Sequence, residues 1–119
     1  MTGAFQITTT DNICLVINSD ASGEGMRPSL TSSYVSALTD LLQAFRLEPD
    51  EAPFAVILSG AEASSPTEFL EGFSAGADLG LLHQVASGHY AARRAPVDGV
   101  NELVRAVRSC PCPVIASVE

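Results

Sequence analysis

The chain has 119 residues, enough for one small domain, and 46% hydrophobic content with nine glycines and seven prolines is the make-up of a packed globular protein. A formal net charge of −8, with only six Lys and Arg, argues against nucleic acid as a partner and against anionic membranes. A phosphorylated ligand stays open, because backbone N–H groups at a helix start hold phosphate without basic side chains nearby.

The longest apolar runs, residues 13–17 and 54–58, are far too short to span a bilayer. Residues 1–20 have neither a basic leader nor a hydrophobic core of the secretory kind, so a cytoplasmic location is expected. The cysteines are Cys14, Cys110 and Cys112. Their number and spacing do not supply the roughly four ligands of a zinc site, so no metal is expected and all three read as reduced packing residues.

In chain order, residues 5–9 and 13–17 are β-prone runs separated by Thr10, Asp11 and Asn12, which reads as a hairpin. Residues 18–28 form a polar, Gly-rich loop. Tyr34, Leu38, Leu41, Leu42 and Phe45 then recur at helical spacing, with Thr31 or Ser32 placed to cap the helix. Residues 48–53 are a turn. Residues 54–58, Phe-Ala-Val-Ile-Leu, are apolar throughout, the pattern of a strand covered on both faces in a parallel sheet.

Residues 61–71 are a loop rich in small and acidic side chains. Residues 77–85 can form a helix, 88–96 look irregular, and Val97, Val100, Leu103, Val104 and Val107 mark a third helix stopped by Pro111 and Pro113. Residues 114–118 are a second strand of the buried type. The expected order is hairpin, helix, strand, loop, helix, strand, with right-handed crossovers. An apolar final strand also needs a covering layer, which suggests that the chain is a portion of a larger fold.

The segment Gly72-Phe73-Ser74-Ala75-Gly76-Ala77-Asp78-Leu79 concentrates small residues. It fits Gly-x-Ser-x-Gly, the nucleophile elbow, with Ser74 as nucleophile. That reading needs a buried strand directly before Gly72 and a distant histidine. The preceding residues are Pro66-Thr67-Glu68-Phe69-Leu70-Glu71, and the two histidines, His83 and His89, lie within about four helical turns of Ser74. The other reading is a loop that presents a backbone N–H at a helix start. Gly76 permits a tight turn, small neighbours admit a ligand to the main chain, and Asp78 favours the helix dipole. Such an N–H can receive a thioester oxygen as it becomes an enolate.

Three motifs occur in one order: the apolar run 54–58 followed by Ser59-Gly60; Phe73-Ser74-Ala75-Gly76-Ala77-Asp78-Leu79; and Cys110-Pro111-Cys112-Pro113-Val114-Ile115-Ala116. Together they resemble the N-terminal portion of the crotonase superfamily, the enoyl-CoA hydratase/isomerase family, across nearly the whole chain. Leu30-Thr31 before Tyr34 and Leu38 is similar to the end of that family's turn before its first helix.

The resemblance implies an α/β crotonase (ClpP-like) ββα spiral fold, first half only. It implies an acyl-CoA thioester as substrate, no further cofactor, and enoyl hydration or double-bond migration as the reaction of a complete protein. Ala77 would donate one of two oxyanion-hole N–H groups. Ser74, Ala75 and Leu30 would line the coenzyme A region, with Pro28 and Ser29 standing where the family has Asn-Ala. The family's second N–H and its acid/base carboxylates lie beyond the Val-Ile-Ala strand. Glu68, Glu71 and Asp78 read as solvated acids or helix caps. A homo-oligomer, trimer or hexamer, is implied for the complete protein. The alternative is a truncated or degenerate member that binds acyl-CoA weakly or only assembles with other subunits.

Overall fold

In the computed structural model of the protein, residues 5–18, 29–60, 73, 74, 76, 79–88 and 90–118 are described. Asp11 and Asn12 both sit at positive φ, 51° and 62°. A two-residue turn of that hand matches the right-handed twist of paired strands, and Asp and Asn tolerate it. It joins β1 (Phe5–Thr10) to β2 (Ile13–Asn18) in antiparallel register, Thr10 opposite Ile13 and Phe5 opposite Asn18. Thr10 therefore belongs to the strand, one residue beyond the run read from sequence.

Helix α1 (Ser32–Leu47) begins where the Thr31 hydroxyl accepts a hydrogen bond from the Tyr34 N–H at 3.1 Å. That bond satisfies one of the free donors of the first turn. A short 3₁₀ turn, Pro49–Glu51, leads into β3 (Ala55–Gly60), which pairs parallel with β2. Phe54 stays outside the strand and is 72% exposed, while its N–H donates to the Asn12 carbonyl at 2.8 Å. Helices α2 (Leu79–Ser87) and α3 (Tyr90–Ser109) follow, and β4 (Val114–Ser117) pairs parallel with β3. The sheet order is β1-β2-β3-β4.

Helix α3 departs from expectation. Residues 90–96, part of the stretch 88–96 read as irregular, are its first two turns. Proline removes one intrahelical bond. Three alanines and two arginines in residues 91–95 favour helix on either account of propensity, and Arg94 bridges the proline turn to Asp98 at 3.2 Å. Farther along, Leu103, Ala106 and Val107 anchor the helix to the core.

The core lies between one sheet face and α1, with α3 packed beside α1. Cys14, Val16 and Val56 from the sheet meet Tyr34, Leu38 and Leu42 from α1 and Ala106 from α3. Phe5 packs edge-on against Tyr34, ring centroids 6.2 Å apart. The expectation that β3 and β4 are covered on both faces is met only at the start of β3, where Ala55 and Val56 are buried. Ile115 of β4 is 50% exposed.

Candidate functional site

The candidate site is built where the carbonyl ends of β2 and β3 meet the turn entering α1. Asn18, the last residue of β2, is buried, and its side-chain amide donates to the Ser29 carbonyl at 3.1 Å. Burying an amide side chain is costly unless it is hydrogen-bonded, so this bond fixes the turn to the strand end. The Thr31 N–H also returns to the Ser29 carbonyl at 3.0 Å, and the Thr31 carbonyl receives the Val35 N–H at 3.0 Å. Residues 29–31 are thus tied on both sides.

The small-residue loop meets this turn directly. The Leu30 N–H donates to the Gly76 carbonyl at 2.8 Å. Gly76 has φ +89°, a backbone state that side chains with a Cβ adopt only under strain, and the space where a Cβ would stand is open. Glycine is required here by conformation rather than by crowding. The Gly76 N–H is taken up by the Ser74 hydroxyl oxygen at 3.0 Å, closing a local turn.

Of the residues singled out from sequence, Leu30 and Ser74 are therefore brought together through Gly76. Ala75 and Ala77 lie outside the described residues, as do Pro28, Glu68, Glu71, Asp78 and His89. Ser74 is exposed and its oxygen serves the loop backbone. His83 is an exposed residue of α2 whose carbonyl accepts from the Ser87 hydroxyl at 2.7 Å. Phe73 and Ser74 stand in non-strand backbone, so the strand-to-helix turn of a nucleophile elbow is not what presents Ser74.

Sequence reading missed Asn18, which it placed at the head of a polar loop. An amide directly after the five apolar residues 13–17 was the available signal. It also missed that the Ser74 hydroxyl has a backbone partner two residues on, although a serine before a flexible glycine is a common turn former.

A separate cavity of about 280 Å³ lies between the helices, lined among others by Val35, Thr39, Asp40, Gln84, Pro96 and Val100. It shares no lining residue with the Leu30–Gly76 junction. No group of three or more His, Cys, Asp or Glu that could hold a metal occurs among the described residues. No helix among them is long and apolar enough to cross a membrane.

No family model matches the sequence, and no curated protein matches it. Solved structures do. The chain is similar over 98% of its length to a Streptomyces coelicolor A3(2) protein described as an enoyl-CoA hydratase, with 26% identity and a TM-score of 0.77, covering 38% of that protein. This is the crotonase fold, in its N-terminal portion. An enoyl-CoA hydratase/isomerase from Mycobacterium paratuberculosis matches 99% of the chain at 22% identity, with a TM-score of 0.72 over 42% of its own length. A Legionella pneumophila protein described as an enoyl-CoA hydratase/isomerase (crotonase) matches the whole chain at 16% identity, with a TM-score of 0.76 over 41% of its length. The chain thus spans about two fifths of these crotonase-fold proteins. Both parallel strand pairs and the helices between them belong to that shared portion.

Proposed function

We propose that this chain is the acyl-CoA thioester-binding portion of an enoyl-CoA hydratase/isomerase-like protein. In this reading the backbone N–H of Ala77 is one donor to the thioester oxygen, and Ser74, Ala75 and Leu30 line the coenzyme A region. The observation that carries it is the 2.8 Å bond from the Leu30 N–H to the Gly76 carbonyl. It joins the turn before α1 to the small-residue loop, the two segments that the resemblance assigns to one ligand.

Hydration of an enoyl thioester and migration of its double bond both build negative charge on the thioester oxygen. A fixed N–H near the start of α2 stabilises that charge more than it stabilises the neutral ground state, which is what lowers the barrier. The second donor and the acid/base carboxylates are assigned to the remainder of the crotonase fold. By itself the 119-residue chain is expected to show no enoyl-CoA turnover above background, since a missing donor costs on the order of 10²–10³ and a missing base roughly 10²–10⁴ in rate. A cytoplasmic homo-oligomer, trimer or hexamer, completes the proposal.

The test is a pair of substitutions in a protein carrying the complete fold, assayed with crotonyl-CoA. Ala77→Pro deletes the N–H, and proline is tolerated in a first helical turn. It is expected to cost about 2.7–4 kcal/mol of transition-state stabilisation, with the fold retained by circular dichroism. Ser74→Ala removes only the local bond to the Gly76 N–H and is expected to cost less than about tenfold, or ~1.4 kcal/mol. A serine-hydrolase site reverses the order, with a Ser74→Ala loss on the order of 10⁶.

The open apolar sheet face favours a second reading, a degenerate member that binds or assembles without catalysis. A complete-fold protein that binds crotonyl-CoA, leaves it unconverted and lacks a carboxylate beside the thioester supports that reading over the enzyme.

A further inference from the structure

Residues 110–112 read Cys-Pro-Cys, and the thioester site uses none of them. The backbone holds this segment at both ends. The Cys110 N–H donates to the Val107 carbonyl at the close of α3, at 3.4 Å, and the Val56 N–H of β3 donates to the Pro113 carbonyl at 2.9 Å. Pro111 fixes one further backbone angle between them. So held, the two sulfurs stand 3.7 Å apart. Both cysteines are half-buried at the edge of the core, whereas Cys14 is 3% exposed beneath them. All three are free thiols.

We propose that Cys110 and Cys112 form a dithiol modification site, oxidised by a low-molecular-weight disulfide to an intramolecular Cys110–Cys112 bond. The contact is already made; closure shortens it from 3.7 Å to the ~2.05 Å of a disulfide. The Cys110 thiolate attacks one sulfur of the reagent, breaking its S–S bond and releasing the first thiolate, which takes up a proton. The Cys112 sulfur then attacks the Cys110 sulfur of the mixed disulfide, and the second reagent thiolate leaves with the proton Cys112 gives up. The protein loses two thiol protons and two electrons, and the reagent becomes two thiols.

The order of events follows from the surroundings. Burial first, then the hydrogen bond and charge of Cys110 and the charge of Cys14, together push the Cys112 thiol up to about 11. Cys112 is therefore protonated near neutrality and suits the second step. Capping Cys110 as a mixed disulfide removes Cys110's contribution, so Cys112 becomes a better nucleophile once it is needed. Closure over a three-residue span also works at high effective concentration.

The experiment exposes the 119-residue chain to mixtures of reduced and oxidised glutathione, quenches with iodoacetamide and maps the cysteines by mass spectrometry. The expected product is a peptide holding residues 110 and 112 that is lighter by two hydrogens and unalkylated until reduced. Cys14 is expected to stay a thiol, alkylated only after unfolding. Cys112→Ser is expected to accumulate glutathione on Cys110, at least about tenfold more than the unsubstituted chain holds in the same mixture. Three results overturn the proposal: glutathione persisting on Cys110 in the unsubstituted chain, a bond that includes Cys14, or no oxidation of the pair where free glutathione itself is oxidised. The unsubstituted chain alone decides among these, so misfolding of the variant does not blunt the test.

Discussion

Cys14, Val16, Val56 and Leu58 point to one face of the sheet; Ile13, Leu15, Ile17, Ile57 and Ile115 point to the other, in the same strands and the same register. The first set lies under α1, and Val16 and Val56 are fully buried. The second set is no less apolar, yet its five residues are half-buried or exposed, with Ile115 at 50%. Both faces are apolar, so the difference comes from the layer laid over each. Burial energy is realised only where surface leaves water.

This contrast can be broken by substitution. The largest effect is expected at Leu42, which is fully buried under the closed face. Leu42→Ala leaves a cavity as well as losing transfer energy and is expected to cost about 2–5 kcal/mol in urea denaturation. An intermediate effect is expected where α1 starts. Thr31→Ala removes the hydroxyl that accepts the Tyr34 N–H and is expected to cost about 0.5–2 kcal/mol. The smallest belongs to the open face. Ile115→Thr keeps a β-branched side chain on an exposed strand and is expected to stay within about 0.5 kcal/mol of the parent. An Ile115→Thr loss as large as that of Leu42→Ala shows that the second face is covered after all.

The same contrast explains what was readable in the sequence. The β-prone run of residues 13–17 and the helical spacing of Tyr34, Leu38 and Leu42 are local signals, and the strand and helix that build the closed face follow from them. The parallel strands were legible as continuous apolar runs. Their covering was misjudged because a run such as Val114-Ile115-Ala116 records which surfaces are apolar, not which ones meet a neighbour within these residues. The start of α3 was not legible because Pro96 is a strong local breaker; the exposed Arg94–Asp98 pair is a local i,i+4 contact, and what ties the helix down is the tertiary packing of Leu103, Ala106 and Val107.

At the candidate site, Gly76 was legible because a glycine among small residues signals a special backbone angle, and it has φ +89°. Gly76→Ala is accordingly expected to cost about 1–3 kcal/mol, mostly in the loop. The clamp by Asn18 was not legible. It depends on β2 ending beside Ser29, a meeting of residues eleven apart that no local pattern encodes.

The central claim is that the junction of Leu30 with Gly76 belongs to an acyl-CoA site. The most direct measurement is an amide NMR titration of the ¹⁵N-labelled chain with crotonyl-CoA up to millimolar concentration. The account predicts that Leu30, Ser74 and Gly76 shift together and saturate, while the amides of α3 around Pro96 and Val100 do not. No shift at Leu30 and Gly76, or shifts confined to the cavity between α1 and α3, contradicts it.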